Sequence, residues 1–162
     1  MTQQQKKFAA VGILASLAFA WGWSKNRSMA KRQFAGLGLA ERQARKAEQM
    51  QPGKLVSSLV FGPFLEEWAF RGQLQGALGG LGVPAPAAAA VAAAAFGAVH
   101  ATPADKGKDF LDSSSRTFDA ALGGLLYSTA FAVGGLPGAV AAHGLHNLGA
   151  SFGWSAGIDQ AP

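Results

Sequence analysis

An all-α, integral membrane helical bundle of about five transmembrane helices is the fold this chain predicts, and three observations predict it. Hydrophobic residues make up 49% of the 162 residues and charged ones 14%, where soluble domains carry about a quarter. Apolar runs are separated by clusters of Gly and Pro, the usual punctuation between helices. Lys and Arg alternate between the connections, eight in residues 24–54, none in 80–86, three in 102–116 and none in 134–138, as they do between the two sides of a membrane protein. Mean hydropathy is only +0.17 because 22 glycines and one polar stretch dilute it, yet small residues are what let membrane helices approach closely.

The elements follow in order. Phe8 to Ser24 is an uncharged run between Lys7 and Lys25, near the lower length limit for a span, and reads as a first membrane helix. A signal peptide is its rival, since Lys6-Lys7, an apolar core and Ala18-Phe19-Ala20 resemble the three regions of one. Lys25 to Lys54 holds helix formers from Ala40 to Met50 and then Gln51-Pro52-Gly53 as a stop, the pattern of an interfacial or solvated helix. Four apolar segments come next: Leu55 to Leu78, Ala87 to Ala101, Thr117 to Val133 and Ala139 to Trp154. None alternates like a barrel strand. The chain therefore divides into an N-terminal anchor with a basic segment, 1–54, and a four-helix membrane core, 55–162.

Charge and cysteine usage exclude several functions. The net +5 is uneven, because residues 1–54 hold ten Lys or Arg against Glu41 and Glu48 alone. Such an excess beside a span suits anionic lipid, and it lacks the aromatic interleaving or recognisable fold of a nucleic-acid module, so no nucleic-acid partner is expected. With no cysteine, disulfides, thiolate metal sites and a cysteine nucleophile are excluded.

Chemistry concentrates in the run Glu66-Glu67-Trp68-Ala69-Phe70-Arg71-Gly72, which puts two carboxylates and a guanidinium inside an apolar segment. In an α-helix Arg71 lies about 40° around from Glu67 and about 140° from Glu66. Glu67 can thus pair with Arg71, leaving Glu66 a carboxylate without a built-in partner, suited to exchanging a proton with water. All three histidines follow in apolar segments, in Phe96-Gly97-Ala98-Val99-His100 and His143-Gly144-Leu145-His146-Asn147. Ionisable groups inside spans face a cavity or each other, so Glu66, Glu67, Arg71, His100 and His143 form one candidate site. Plainer readings stay open: a structural Glu67–Arg71 ion pair, and interior histidines bonding carbonyls. His146, about 60° around the helix from His143, reads as a bystander. Trp21, Trp23, Trp68 and Trp154 read as interface anchors or packing, and Asp105, Asp109 and Asp112 as a solvated loop.

Three motifs carry a resemblance. EExxxR continued as FRG over Glu66 to Gly72, FxxxH over Phe96 to His100, and HxxxN over His143 to Asn147 resemble the CPBP intramembrane proteases, the CAAX-protease and bacteriocin-processing or Abi family. The text from Phe118 to Tyr127 is similar too, and the likeness covers roughly residues 55–155. It implies hydrolysis of a peptide bond near the membrane in a peptide or prenylated protein substrate. Glu66 would activate water; His100, His143 and Asn147 would hold it or stabilise the oxyanion; Glu67 and Arg71 would shape the site. The cofactor is either none or a divalent metal such as zinc, with Glu66, His100 and His143 as candidate ligands. The expected setting is a bacterial cytoplasmic membrane, or an equivalent organellar or viral one, with the lipid bilayer and membrane-protein subunits as further partners. A non-catalytic scaffold or subunit, or a small immunity or binding protein of the membrane, is the alternative. Counting along straight helices places His100 near the basic-side end of its helix and His143 near the opposite end of its own, an arrangement in which the two would not meet.

Overall fold

Helices in this chain end where Gly or Pro interrupts an apolar run. The computed structural model describes the backbone of residues 1–100 and 110–162, and the side chains of all of these except 110–115. Helix α1 is Gln3–Gln33, opened by a capping box in which Thr2 and Gln5 each satisfy the other's backbone amide. Helix α2 is Leu39–Gln49. Helix α3 runs over 52–80 with Pro52 in its first turn, where a missing N–H leaves no bond unmade. Helix α4 is Ala85–Val99. The last helical run, Phe110–Asp159, is split by Gly135 at φ 64° and ψ −161° into α5 (110–134) and α6 (136–159); that conformation is essentially confined to glycine. No strand occurs among the described residues.

The structure departs from the sequence expectations in two places and refines two others. Gln51-Pro52-Gly53 is a corner between α2 and α3, because Pro52 starts a helix as readily as it stops one. α3 is not a uniform α-helix, since Ser57–Phe61 and Trp68–Gln75 are π-helical, a widening that recurs at functional sites. α5 begins at Phe110, well before Thr117, so the backbone at Asp112 is helical; Asp105 and Asp109 lie outside the described residues. α4 keeps the expected 15 residues, shifted by two, and its C-terminal turn packs beside Thr117, seven residues after α5 begins, with Gly97 against the Thr117 carbonyl.

Glycine sets how closely the helices meet. Gly149, Gly153 and Gly157 recur every fourth residue on α6, and a Cβ on them would fall 2.1, 2.2 and 2.5 Å from the carbonyl oxygens of Phe19, Trp23 and Arg27 on α1. Backbone therefore lies directly on backbone, the small-residue packing of membrane helices. Contacts advance together along both chains, from Val11 beside Gly138 to Arg27 beside Gly157, so α1 and α6 run parallel. The same device joins α4 to α5 at Gly97 and α3 to α6 at Gly144.

α2 buries none of its residues and is fastened at the end of α6 by Lys46 to Asp159 at 2.6 Å and by Arg42 to the Ala161 carbonyl. By length and composition Gln3–Gln33 and the stretch Arg116–Asp159 are able to cross a membrane, while Ala85–Val99 is apolar but shorter. Phe96, Tyr127, Ala130 and Ala142 form a buried cluster with Phe70 and Leu14 packed against it, and this cluster is the wall on which the polar residues are mounted.

Candidate active site

Glu67 and Arg71 form the base of the site, both with no exposed surface. Charge buried so deeply needs partners, and each has several. Arg71 Nη1 donates to Glu67 Oε1 at 3.3 Å and Nη2 donates to the Gly124 carbonyl at 2.6 Å. Arg71 Nε and Glu67 Oε2 lie 3.2 Å apart, attracted but not aligned as a hydrogen bond. The guanidinium also sits 4.9 Å from the centre of the Phe96 ring and 5.5 Å from that of Tyr127, a favourable cation–π arrangement. Gly124 must stay small, since a Cβ there would meet Ala93 Cα at 2.9 Å and Arg71 Nη2 at 3.1 Å.

The second layer is His143, nearly buried, whose Nδ1 lies 2.8 Å from Glu67 Oε1. A carboxylate oxygen only accepts, so Nδ1 carries a proton, and in the neutral ring the lone pair of Nε2 points the other way. Tyr127 stacks on this ring at 4.4 Å with 11° between planes, holding its tilt. His100 ends α4 and bonds its own helix, Nδ1 donating to the Phe96 carbonyl at 2.7 Å. The same reasoning leaves its Nε2 a lone pair.

Both Nε2 atoms face Glu66. His100 Nε2 is 3.7 Å and His143 Nε2 3.8 Å from Glu66 Oε2, and that oxygen has no hydrogen-bond partner among the described residues. These gaps are too long for direct hydrogen bonds and of a size that a water can cap. With both rings neutral, two imidazole nitrogens face one carboxylate oxygen, an arrangement that a water proton or a cation between them would satisfy. His100 and His143 both reach Glu66 after all, because α4 ends beside Thr117, seven residues into α5, and not level with the end of that helix.

Asn147 turns its amide to Ser58, Nδ2 donating to that carbonyl at 2.8 Å. The acceptor lies in the first π-helical stretch of α3, where a carbonyl is freed from the regular ladder. Asn147 also lines a cavity of about 370 Å3 together with His100, His143, His146 and Tyr127. The amide keeps its second N–H, which Ser58 does not occupy.

A metal would find suitable donors here. Two imidazoles whose Nδ1–H groups are held by a carbonyl and a carboxylate have the second-shell arrangement of zinc ligands, and Glu66 Oε2 is a third donor. Tetrahedral ligands with bonds of about 2.0–2.2 Å stand roughly 3.3–3.5 Å apart, slightly closer than the 3.7 and 3.8 Å separations from Glu66. No group of three His, Asp or Glu side chains among the described residues is already drawn together as a ligand cluster. The donor chemistry fits, and a small contraction would be needed.

The family model for Rce1-like proteins, described as type II CAAX prenyl endopeptidase Rce1-like, matches residues 49–149. The chain belongs to this Rce1-like family. No curated protein and no solved structure gives a significant match. The Rce1-like match takes in α3, α4, α5 and the half of α6 that carries His143 and Asn147, so Glu66, Glu67, Arg71, His100, His143 and Asn147 all lie within it.

Several neighbours of the site were not singled out from sequence. Tyr127, the chain's one tyrosine, lies in an apolar run, where a phenol needs a reason to be. Asp119 pairs with Lys25 of α1, and an acidic residue in an apolar helix was a legible signal. His146 meets Trp21 edge-on at 5.0 Å, and both line the cavity; neither side chain is remote from the site. Gly124 and the Ser58 carbonyl carry no sequence signal, since their roles belong to backbone atoms.

Proposed function

We propose that this protein is an intramembrane endopeptidase that hydrolyses a peptide bond with a water activated by Glu66. The observation that carries the reading is the convergence of Glu66 Oε2 with the Nε2 atoms of His100 and His143, beside a buried ion pair that fixes the tautomer of His143. A water capping these atoms gives one proton to Glu66 while its oxygen attacks the carbonyl carbon. The second N–H of Asn147 is available to the oxyanion. Glu66 then returns its proton to the leaving amine, which closes the proton balance. Glu67 orients His143, and Arg71 pairs with Glu67 beneath it. If a divalent ion such as zinc binds, Glu66, His100 and His143 hold it, and it would supply Lewis-acid polarisation and a more acidic water.

The family description points to prenylated protein C-termini as substrates, presented from a bilayer, in a bacterial cytoplasmic membrane or an equivalent one. In this reading α1, α3, α5 and α6 cross the layer and α4 penetrates it as a fifth, shorter helix, with membrane-protein subunits as possible neighbours of the lipid-facing side. A structural reading, a scaffold that keeps the motif for folding, is favoured by one observation: Asn147 is tied to the Ser58 carbonyl, so it clamps α3 to α6.

Purified protein in lipid vesicles, given a farnesylated peptide ending in a CAAX sequence, should release the C-terminal fragment. Absence of cleavage, with the Glu66→Gln chain supporting the same cellular role as the wild type, would favour the scaffold. Elemental analysis and chelation decide the cofactor. Cleavage that survives chelation makes Glu66 and its water sufficient, whereas stoichiometric zinc lost in His100→Ala makes the ion part of the machinery.

A further inference from the structure

The cavity of about 370 Å3 lies between α1, α4, α5 and α6 and falls in the range of small-ligand pockets. His100, His143 and Asn147 line one part of it, and Lys25, Arg116 and Asp119 line another. Asp119 holds Lys25 by an ion pair, and Arg116 is exposed at the same end. On the wall between, His146 presents a buried Nδ1 that has no hydrogen-bond partner among the described residues. The cavity therefore joins His100, His143 and Asn147, which neighbour Glu66 without Glu66 itself lining the space, to a region holding two cations and one carboxylate, with an unused polar atom of His146 on its wall.

Two of its lining residues, Asp119 and Tyr127, are separated along α5 by about the length of a short peptide. Asp119 and Tyr127 are about two turns apart on α5, about 12 Å of rise, and the Tyr127 ring stacks on His143. Three extended residues span about 10 Å. A CAAX terminus carries its prenyl group on the cysteine and ends three residues later, in a free carboxylate. We propose that this cavity receives the last three residues of the substrate, with Lys25 and Arg116 reading the terminal carboxylate and His146 meeting a backbone polar group along the way. The substrate class rests on the endopeptidase reading, but the carboxylate preference is measurable without cleavage.

The test uses the full-length Glu66→Gln protein in bilayer discs, titrated with a farnesylated tetrapeptide ending in a free carboxylate and with the same peptide as a carboxamide. Charge-assisted hydrogen bonds of this kind should make the acid bind about tenfold to a hundredfold more tightly. Arg116→Gln combined with Lys25→Gln should bring the acid-to-amide ratio close to one. Arg116→Lys combined with Lys25→Arg should retain most of it, which separates loss of charge from loss of fold. Equal binding of the two peptides, no binding of either, or a preference that survives removal of both cations overturns the proposal. An acid preference in binding, joined to a wild-type protein that cleaves neither peptide, leaves the carboxylate site standing and overturns the endopeptidase reading instead.

Discussion

Arg71→Ala should destabilise the fold by about 3–5 kcal/mol, because it leaves Glu67 buried beside no cation. Both groups have no exposed surface, so water cannot replace the lost partner. The change also removes the bond to the Gly124 carbonyl and the guanidinium between Phe96 and Tyr127. Glu66→Gln should cost far less, since the Glu66 side chain is 37% exposed and makes no direct hydrogen bond through Oε2. Removing both members of the pair, in Arg71→Ala with Glu67→Gln, should recover part of the loss. Thermal unfolding in detergent measures all three. Equal losses in Arg71→Ala and Glu66→Gln would mean that the structural and chemical roles of this run have been exchanged.

His143→Ala should lower cleavage by about a hundredfold to a thousandfold, the range for removing one positioned group that stabilises the reacting atoms. One ring both presents Nε2 toward Glu66 and links that site to the Glu67–Arg71 pair. His100→Ala should have the smaller effect, because His100 is half exposed and is held only by its own helix. The comparison needs kcat/KM from variants shown to unfold at temperatures near that of the wild type. A His143→Ala protein that retains its rate would remove the histidine from the reaction.

Much of this was legible because the signals were local. Glu67 pairs with Arg71 for a reason that helix geometry alone supplies, and the Gly and Pro clusters marked where helices end to within a few residues. The three motifs named the side chains that converge. What local reading missed depends on how distant segments meet. Straight-helix counting kept His100 and His143 apart because it set the ends of the segments Ala87 to Ala101 and Thr117 to Val133 level, whereas α5 begins at Phe110 and α4 ends beside Thr117. From its own residues the first helix stayed open to a rival reading as a signal peptide. Its place was written instead in another helix, in the fourfold spacing of Gly149, Gly153 and Gly157. That spacing needs a partner backbone before it means anything. The π-helical stretches of α3 and the Lys25–Asp119 pair arise only once α6 and α1 are packed against their neighbours.

The claim that Glu66 is the general base is tested most directly by single-turnover cleavage of a farnesylated CAAX peptide, with wild-type and Glu66→Gln proteins reconstituted in the same lipid. The account predicts release of the C-terminal fragment by the wild type and a rate at least about a hundredfold lower in Glu66→Gln, with peptide binding and unfolding temperature retained. Cleavage by Glu66→Gln at the wild-type rate would contradict it.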